Sequence, residues 1–197
     1  MSHGYLRTDE REEAVRSLEF ARSQAALLSD DPYAWKWILI SLHNAVQGFM
    51  VLALRNGNGL LALRDHIAAK WLKVYREGGE YPVEKLDDFL SLYEKVKKPS
   101  NFHRVSAACF AGSEARDLSM KRLNDIRNEF IHFTPKGWSL QMAGLPQICL
   151  DGLDLIRHLG WETNAVTWYH AGHRTRARRA ERILRRAMEA VKGAYAV

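Results

Sequence analysis

Three side chains in the stretch Arg127-Asn128-Glu129-Phe130-Ile131-His132-Phe133 carry groups that can do chemistry: a guanidinium, an amide and an imidazole. An imidazole with an unperturbed pKa of ~6.5 exists in both protonation states near neutrality, so it can act as base or acid. A guanidinium stays charged and offers a planar fork of donors that matches the oxygens of a phosphate. A chain of this composition contains roughly 0.8 Arg-x4-His pairs by chance, and roughly 0.03 once asparagine must follow the arginine. The asparagine, not the bare spacing, therefore makes the pattern informative. On an ideal helix Asp125, Asn128 and His132 share a face, being spaced by three and four. Arg127 points about 140° away from His132. One helix cannot easily bring both to one phosphate, whereas two antiparallel copies meeting at a two-fold axis can. The plain alternative is a solvated helix edge, with Arg127 paired to Glu129 or Asp125.

The element that carries these residues begins at Ser113-Glu114 and ends at Pro135-Lys136-Gly137. Leu118, Leu123, Ile126, Phe130 and Ile131 form its apolar positions. Six further helices precede or follow it. One runs from about Asp9 to Leu28, with Asp9, Glu10, Glu12 and Glu13 suiting its N-terminal dipole end. A second starts after Asp30-Asp31-Pro32 and passes through Trp35, Ile38, Leu42, Ala45, Phe49 and Leu52 to the breaker Asn56-Gly57-Asn58-Gly59. A third covers about 62 to 76. A fourth opens at Pro82, with Leu86, Phe89, Leu90, Tyr93 and Val96 as its stripe. Residues 98 to 113 form a loop, in which His103 and Arg104 could touch a substrate. Gly144-Leu145-Pro146 starts a helix to about Gly160. A final amphipathic helix, about Arg174 to Tyr195, brings the number to seven. With no βαβ alternation and no glycine-rich phosphate loop, the expected architecture is an all-α helical bundle. Residues 1–168 would form the bundle, and 169–197 a basic helix packed on it or extending it.

The segment 37–54, WILISLHNAVQGFMVLAL, has no formal charge and borders on the length of a membrane span. His43, Asn44 and Gln47 interrupt it on one side, so it is expected to be a core helix and not a membrane element. Those polar groups need partners when buried. They either support the Arg127/His132 site, as Asp125 would, or form a self-satisfied core network.

The 197-residue chain carries a net charge of +6, and residues 170 to the end account for all of it. Arg174, Arg176, Arg178, Arg179, Arg182, Arg185 and Arg186 exceed what pairing with Glu181 and Glu189 needs. Such a helix fits RNA phosphates, with Arg174, Arg178 and Arg182 as contacts, or an acidic protein partner. Cys109 and Cys149 lie far apart and outside any zinc-like spacing, so no metal or other cofactor is expected and a reduced cytoplasmic setting fits. The N-terminal stretch MSHGYLRTDEREEA shows no apolar signal region.

Arg127-Asn128-Glu129-Phe130-Ile131-His132 resembles the R-N-x3-H motif of the HEPN superfamily (higher eukaryote and prokaryote nucleotide-binding domain). Phe133-Thr134-Pro135-Lys136-Gly137-Trp138-Ser139 is similar to a plasmid-borne and bacterial branch of it. The resemblance covers about residues 9 to 160. It implies a helical bundle, a homodimer, and an active site composed from the motifs of two protomers. Many such proteins are metal-independent endoribonucleases that act as toxins, held by an antitoxin, or as phage-defence effectors. Others bind RNA or nucleotide without turnover. The implied catalytic residues are Arg127 and His132, with Asn128 as the polar second position. Two His132 side chains would divide the tasks of base toward the 2′-hydroxyl and acid toward the leaving 5′-oxygen. Lys136 could hold phosphate. Trp138 either stacks a base or plugs the bundle end.

Overall fold

The computed structural model describes residues 4–55, 57–102, 109–132, 135 and 137–195. Among them are seven α-helices: α1 Glu10–Ala25, α2 Ala34–Leu54, α3 Asp65–Glu77, α4 Phe89–Val96, α5 Glu114–Ile131, α6 Leu145–Arg157 and α7 Ala171–Tyr195. One isolated antiparallel bridge, Leu63 to Leu86, is the sole strand-like pairing among the described residues. The protein is an all-α helical bundle.

α2 is its axis. Ile38, Leu39, Leu42, Ala45, Val46, Phe49 and Met50 are fully buried, and α1, α4, α5 and α6 pack around it. It is long and apolar enough to cross a membrane by length and composition, yet 78% of its apolar window is buried inside the bundle. The helix pair α1–α2 packs closely because Gly48 faces Ala14. α7 lies along α1 and α6 and adds Ala177, Ala180, Leu184 and Met188 to the same core.

Side-chain caps set the starts of α1, α4 and α5. The Asp9 carboxylate accepts from the amides of Arg11 and Glu12 at 2.9 and 2.8 Å, and the Ser113 hydroxyl from Arg116 at 3.3 Å. The same rule corrects the expected start of α4. Asp88, not Pro82, is its cap, accepting from the Ser91 amide at 2.9 Å. Residues 82–88 run non-helical, and Leu86, placed on the helical stripe by its spacing, is instead an exposed bridge partner of Leu63.

Other boundaries also move. Leu60–Ala62 is a 3-10 turn, so α3 begins at Asp65 rather than at 62. α6 gives way to a π-helical turn, His158–Glu162, whose Gly160 lies against the ring of Phe49. α7 begins three residues earlier than Arg174. α3 stands apart from the main core. Its Ile67 joins Leu60 and Leu63 in a small cluster of their own, with Ala68, Trp71 and Leu72 packed on it. Lys95 ties this corner down, pairing with Asp65 at 2.8 Å and Asp87 at 2.7 Å and donating to the Leu63 carbonyl at 2.7 Å.

Candidate functional site

α5 presents its chemistry by the way it packs. Met120, Leu123 and Ile126 are buried, which turns the helix so that Asn124, Arg127 and Asn128 lie at the edge of the buried stripe. Ser119, also buried, donates to Asp151 of α6 at 2.5 Å and fixes the α5–α6 contact. Two positions assigned to the apolar stripe by spacing, Leu118 and Ile131, are exposed instead, because the helix turns them away from α2 and α6.

His43 of α2 meets this edge. Its Nε2 pairs with Asn124 Oδ1 at 3.2 Å, and its ring stacks on Phe89 with centroids 4.1 Å apart. Burial pushes its pKa down to about 4; the hydrogen bonds of Asn124 and Asn44 oppose this and the positive charge of Arg127 adds to it. His43 is therefore neutral at neutral pH.

Arg127 is half-buried. Its Nη1 donates to Asn128 Oδ1 at 3.1 Å, and its Nε is buried without a hydrogen-bond partner. No ion pair joins it to a described residue. The side chain lines a cleft of about 310 Å³ with Asn44 and Gln47 of α2 and Glu10 and Glu13 of α1. Both acids are already engaged. Glu10 lies 3.4 Å from Arg55 and 3.5 Å from Arg11, and Glu13 accepts the Thr8 hydroxyl at 2.6 Å. Asn44 and Gln47 thus share a cleft with Arg127, while His43 points into the packing behind it.

His132 occupies the C-cap of α5. Its amide donates to the Asn128 carbonyl at 2.8 Å, its backbone leaves the helix at φ −97° and ψ 54°, and the residue is exposed. Its ring makes no hydrogen bond with a described residue. Asn128 opens on a second hollow, shared with Arg122, Asp125, Glu129 and Trp138. Asp125 pairs with Lys121 at 2.7 Å. Arg127 and His132 are thus not brought together within one chain. What one chain does assemble is Arg127 with Asn128, Asn44 and Gln47, backed by His43 and Asn124.

Trp138 is half-buried and packs edge-on against Phe130, centroids 4.9 Å apart. It separates the Asn128 hollow from an aromatic slot containing Tyr33, Trp35, Lys36 and Phe130. Lys136, His103 and Arg104 lie outside the described residues. Of the α7 arginines singled out by residue type, Arg174 is half-buried, while Arg178 and Arg182 are exposed. Among the described residues no group of three His, Cys, Asp or Glu side chains converges as a metal site would.

Asn124 is the residue that sequence reasoning missed. Its signal was available: a polar residue four before Asn128 and three before Arg127, on the stripe that must face α2. No family model matches the chain, and no similar protein emerges from comparison with curated sequences or with solved structures.

Proposed function

We propose that this protein is a metal-independent endoribonuclease of HEPN type, with its active site composed from two copies of the chain, acting as a toxin or phage-defence effector. The observation that carries the reading is Arg127. A half-buried guanidinium with no carboxylate partner among the described residues, oriented by Asn128, is poised for an anion brought from outside. His132, exposed at the end of the same helix, supplies an imidazole, a side chain that can take or give a proton.

The reaction is an in-line transfer. One His132 takes the proton from the 2′-hydroxyl, whose oxygen attacks phosphorus. The other His132 gives a proton to the departing 5′-oxygen. The products are a 2′,3′-cyclic phosphate and a free 5′-hydroxyl. Arg127 stabilises the charge on the phosphorane oxygens.

Purified protein incubated with mixed RNA in EDTA tests this. Wild type should cleave and leave 2′,3′-cyclic ends. His132→Ala should lose about 10²–10⁴-fold in rate, the usual contribution of a general acid or base. Arg127→Ala should lose a comparable amount while remaining folded. No cleavage across several RNAs and salt concentrations would sink the enzymatic reading. The second reading is a module that binds RNA or nucleotide without turnover. It is favoured by one fact: within a single chain nothing described orients the His132 ring. Salt-sensitive binding by a monomer, without cleavage, would select it.

A further inference from the structure

The seven arginines of α7 do not share one role. Arg176 donates to both Glu12 and Glu19 of α1 at 2.7–3.1 Å. Arg185 donates to Glu181 at 2.6 Å and pairs with Asp154 of α6 at 2.9 Å. These two fasten α7 to the bundle. Arg178, Arg179, Arg182 and Arg186 are exposed, and none makes an ion pair or side-chain hydrogen bond with a described residue. Arg178 with Arg182, and Arg182 with Arg186, are like charges one helical turn apart, an arrangement that opposes helix formation. The fold thus keeps a row of mutually repelling cations that it does not neutralise.

Three of them converge. Arg178, Arg179 and Arg182 line an open groove of about 510 Å³ between α7 and the end of α6, opposite Arg157 and the half-buried indole of Trp161. The nearby acids are committed: Glu181 is buried and held by Arg185, and Glu162 accepts from Arg157 at 2.8 Å. Trp161 is held edge-on against Phe49, centroids 6.2 Å apart.

We propose that this groove binds single-stranded RNA, with its sugar–phosphate backbone on Arg178, Arg179 and Arg182 and a base against Trp161. Arg178 and Arg182 are about 6 Å apart along the helix axis, a step suited to successive phosphates of an extended strand. A row of cations beside an aromatic platform uses phosphate and base together, which an acidic protein would not. The choice of RNA over DNA rests on the ribonuclease reading; the groove itself does not.

Anisotropy titration of a labelled oligouridylate tests it, using the His132→Ala protein so that the probe stays intact whether or not the wild type cleaves. Three phosphate contacts on a single strand predict about a 20-fold loss of affinity between 50 and 200 mM salt. Replacing Arg178, Arg179 and Arg182 by Ala should weaken binding at low salt at least about 10-fold and flatten that dependence. Removing the same charge from exposed α3, with Lys70, Lys73 and Arg76 replaced by Ala, should change affinity by less than about 3-fold. Trp161→Leu should weaken binding about 5-fold or more, and Trp161→Phe should largely restore it.

Equal losses in the α7 and α3 variants would reduce the effect to net charge and overturn the groove. So would an absence of oligonucleotide binding, or displacement of the probe by polyglutamate at equal charge. Equally tight binding of an oligodeoxythymidylate would overturn RNA as the occupant. Cleavage plays no part in this readout, so a failed nuclease assay and a failed groove are separate results.

Discussion

His43 shows what burial does to a single titratable group in this fold. Asn124, Asn44, Arg127 and Phe89 surround it, none carries a negative charge, and its pKa falls to about 4. An unfolded histidine titrates near 6.5. Between those two values the unfolded chain binds a proton that the folded chain refuses, so stability rises with pH across that window. The contribution is fully present above ~6.5 and lost by about pH 4, and amounts to about 3 kcal/mol. The carboxylates act in a lower range: the Arg176 guanidinium holds Glu12 down to about 2, so its contribution fades only below the ordinary carboxylate pKa. Urea unfolding at pH 4.5 and 6.5 should therefore show a stability difference that His43→Gln largely removes. A slope unchanged by that substitution would assign it to other groups. Arg127 and Asn128 were legible as a pair in the sequence because adjacent residues need no fold to meet. His43 with Asn124 was not, because their contact exists only once α2 and α5 pack.

At the scale of elements, close approach decides more than propensity. A Cβ at Gly48 would stand 2.7 Å from the Ala14 Cβ and 3.3 Å from its Cα, so the obstacle is the backbone of α1. Glycine to alanine in a helix normally gains about 1 kcal/mol. At Gly48 overpacking should reverse the sign, for a net loss of about 1 kcal/mol. Gly193→Ala, in α7 with open space around it, should keep the normal gain. Thermal melts of the two variants should move in opposite directions. Phe49→Ala should lose about 3–5 kcal/mol, since its ring meets Trp161, Trp168 and Gly160. The helices were legible in the sequence where an apolar stripe met a capping residue, as at Asp9 and Ser113. They were misplaced where periodicity ran on without a cap. Leu86 fell in register with Phe89 and Tyr93, but nothing before Asp88 caps a turn there, and the chain preferred a bridge.

Over the whole molecule, the excess charge of the C-terminal region was legible in the sequence and its distribution was not. Arg176 finds Glu12 across 164 positions of chain, a pairing that depends on α7 returning to α1. The net +6 thus resolves into structural cations facing the bundle and free ones facing solvent. Assembly follows the same logic. Arg127 lines a cleft between helices, whereas His132 stands at an exposed helix end, and one motif per chain offers one histidine. If two chains compose the site, RNA cleavage per protomer should fall on dilution below the dimer dissociation constant, and it should recover on concentration. A rate per protomer independent of concentration, with a monomeric mass in solution, would exclude the two-copy arrangement.

The separateness of α3 has a kinetic consequence. With its own small cluster and Lys95 as a tether, this corner is expected to open while the α2 core stays closed, as a distinct unfolding unit. In deuterated water the amides of 65–77 should exchange by a low-energy local route, while those of α2 wait for global unfolding. Lys95→Met should speed exchange in α3 alone. The same helix would be the first segment offered to a protease, leaving a nicked bundle that still holds α2, α5 and α6 together.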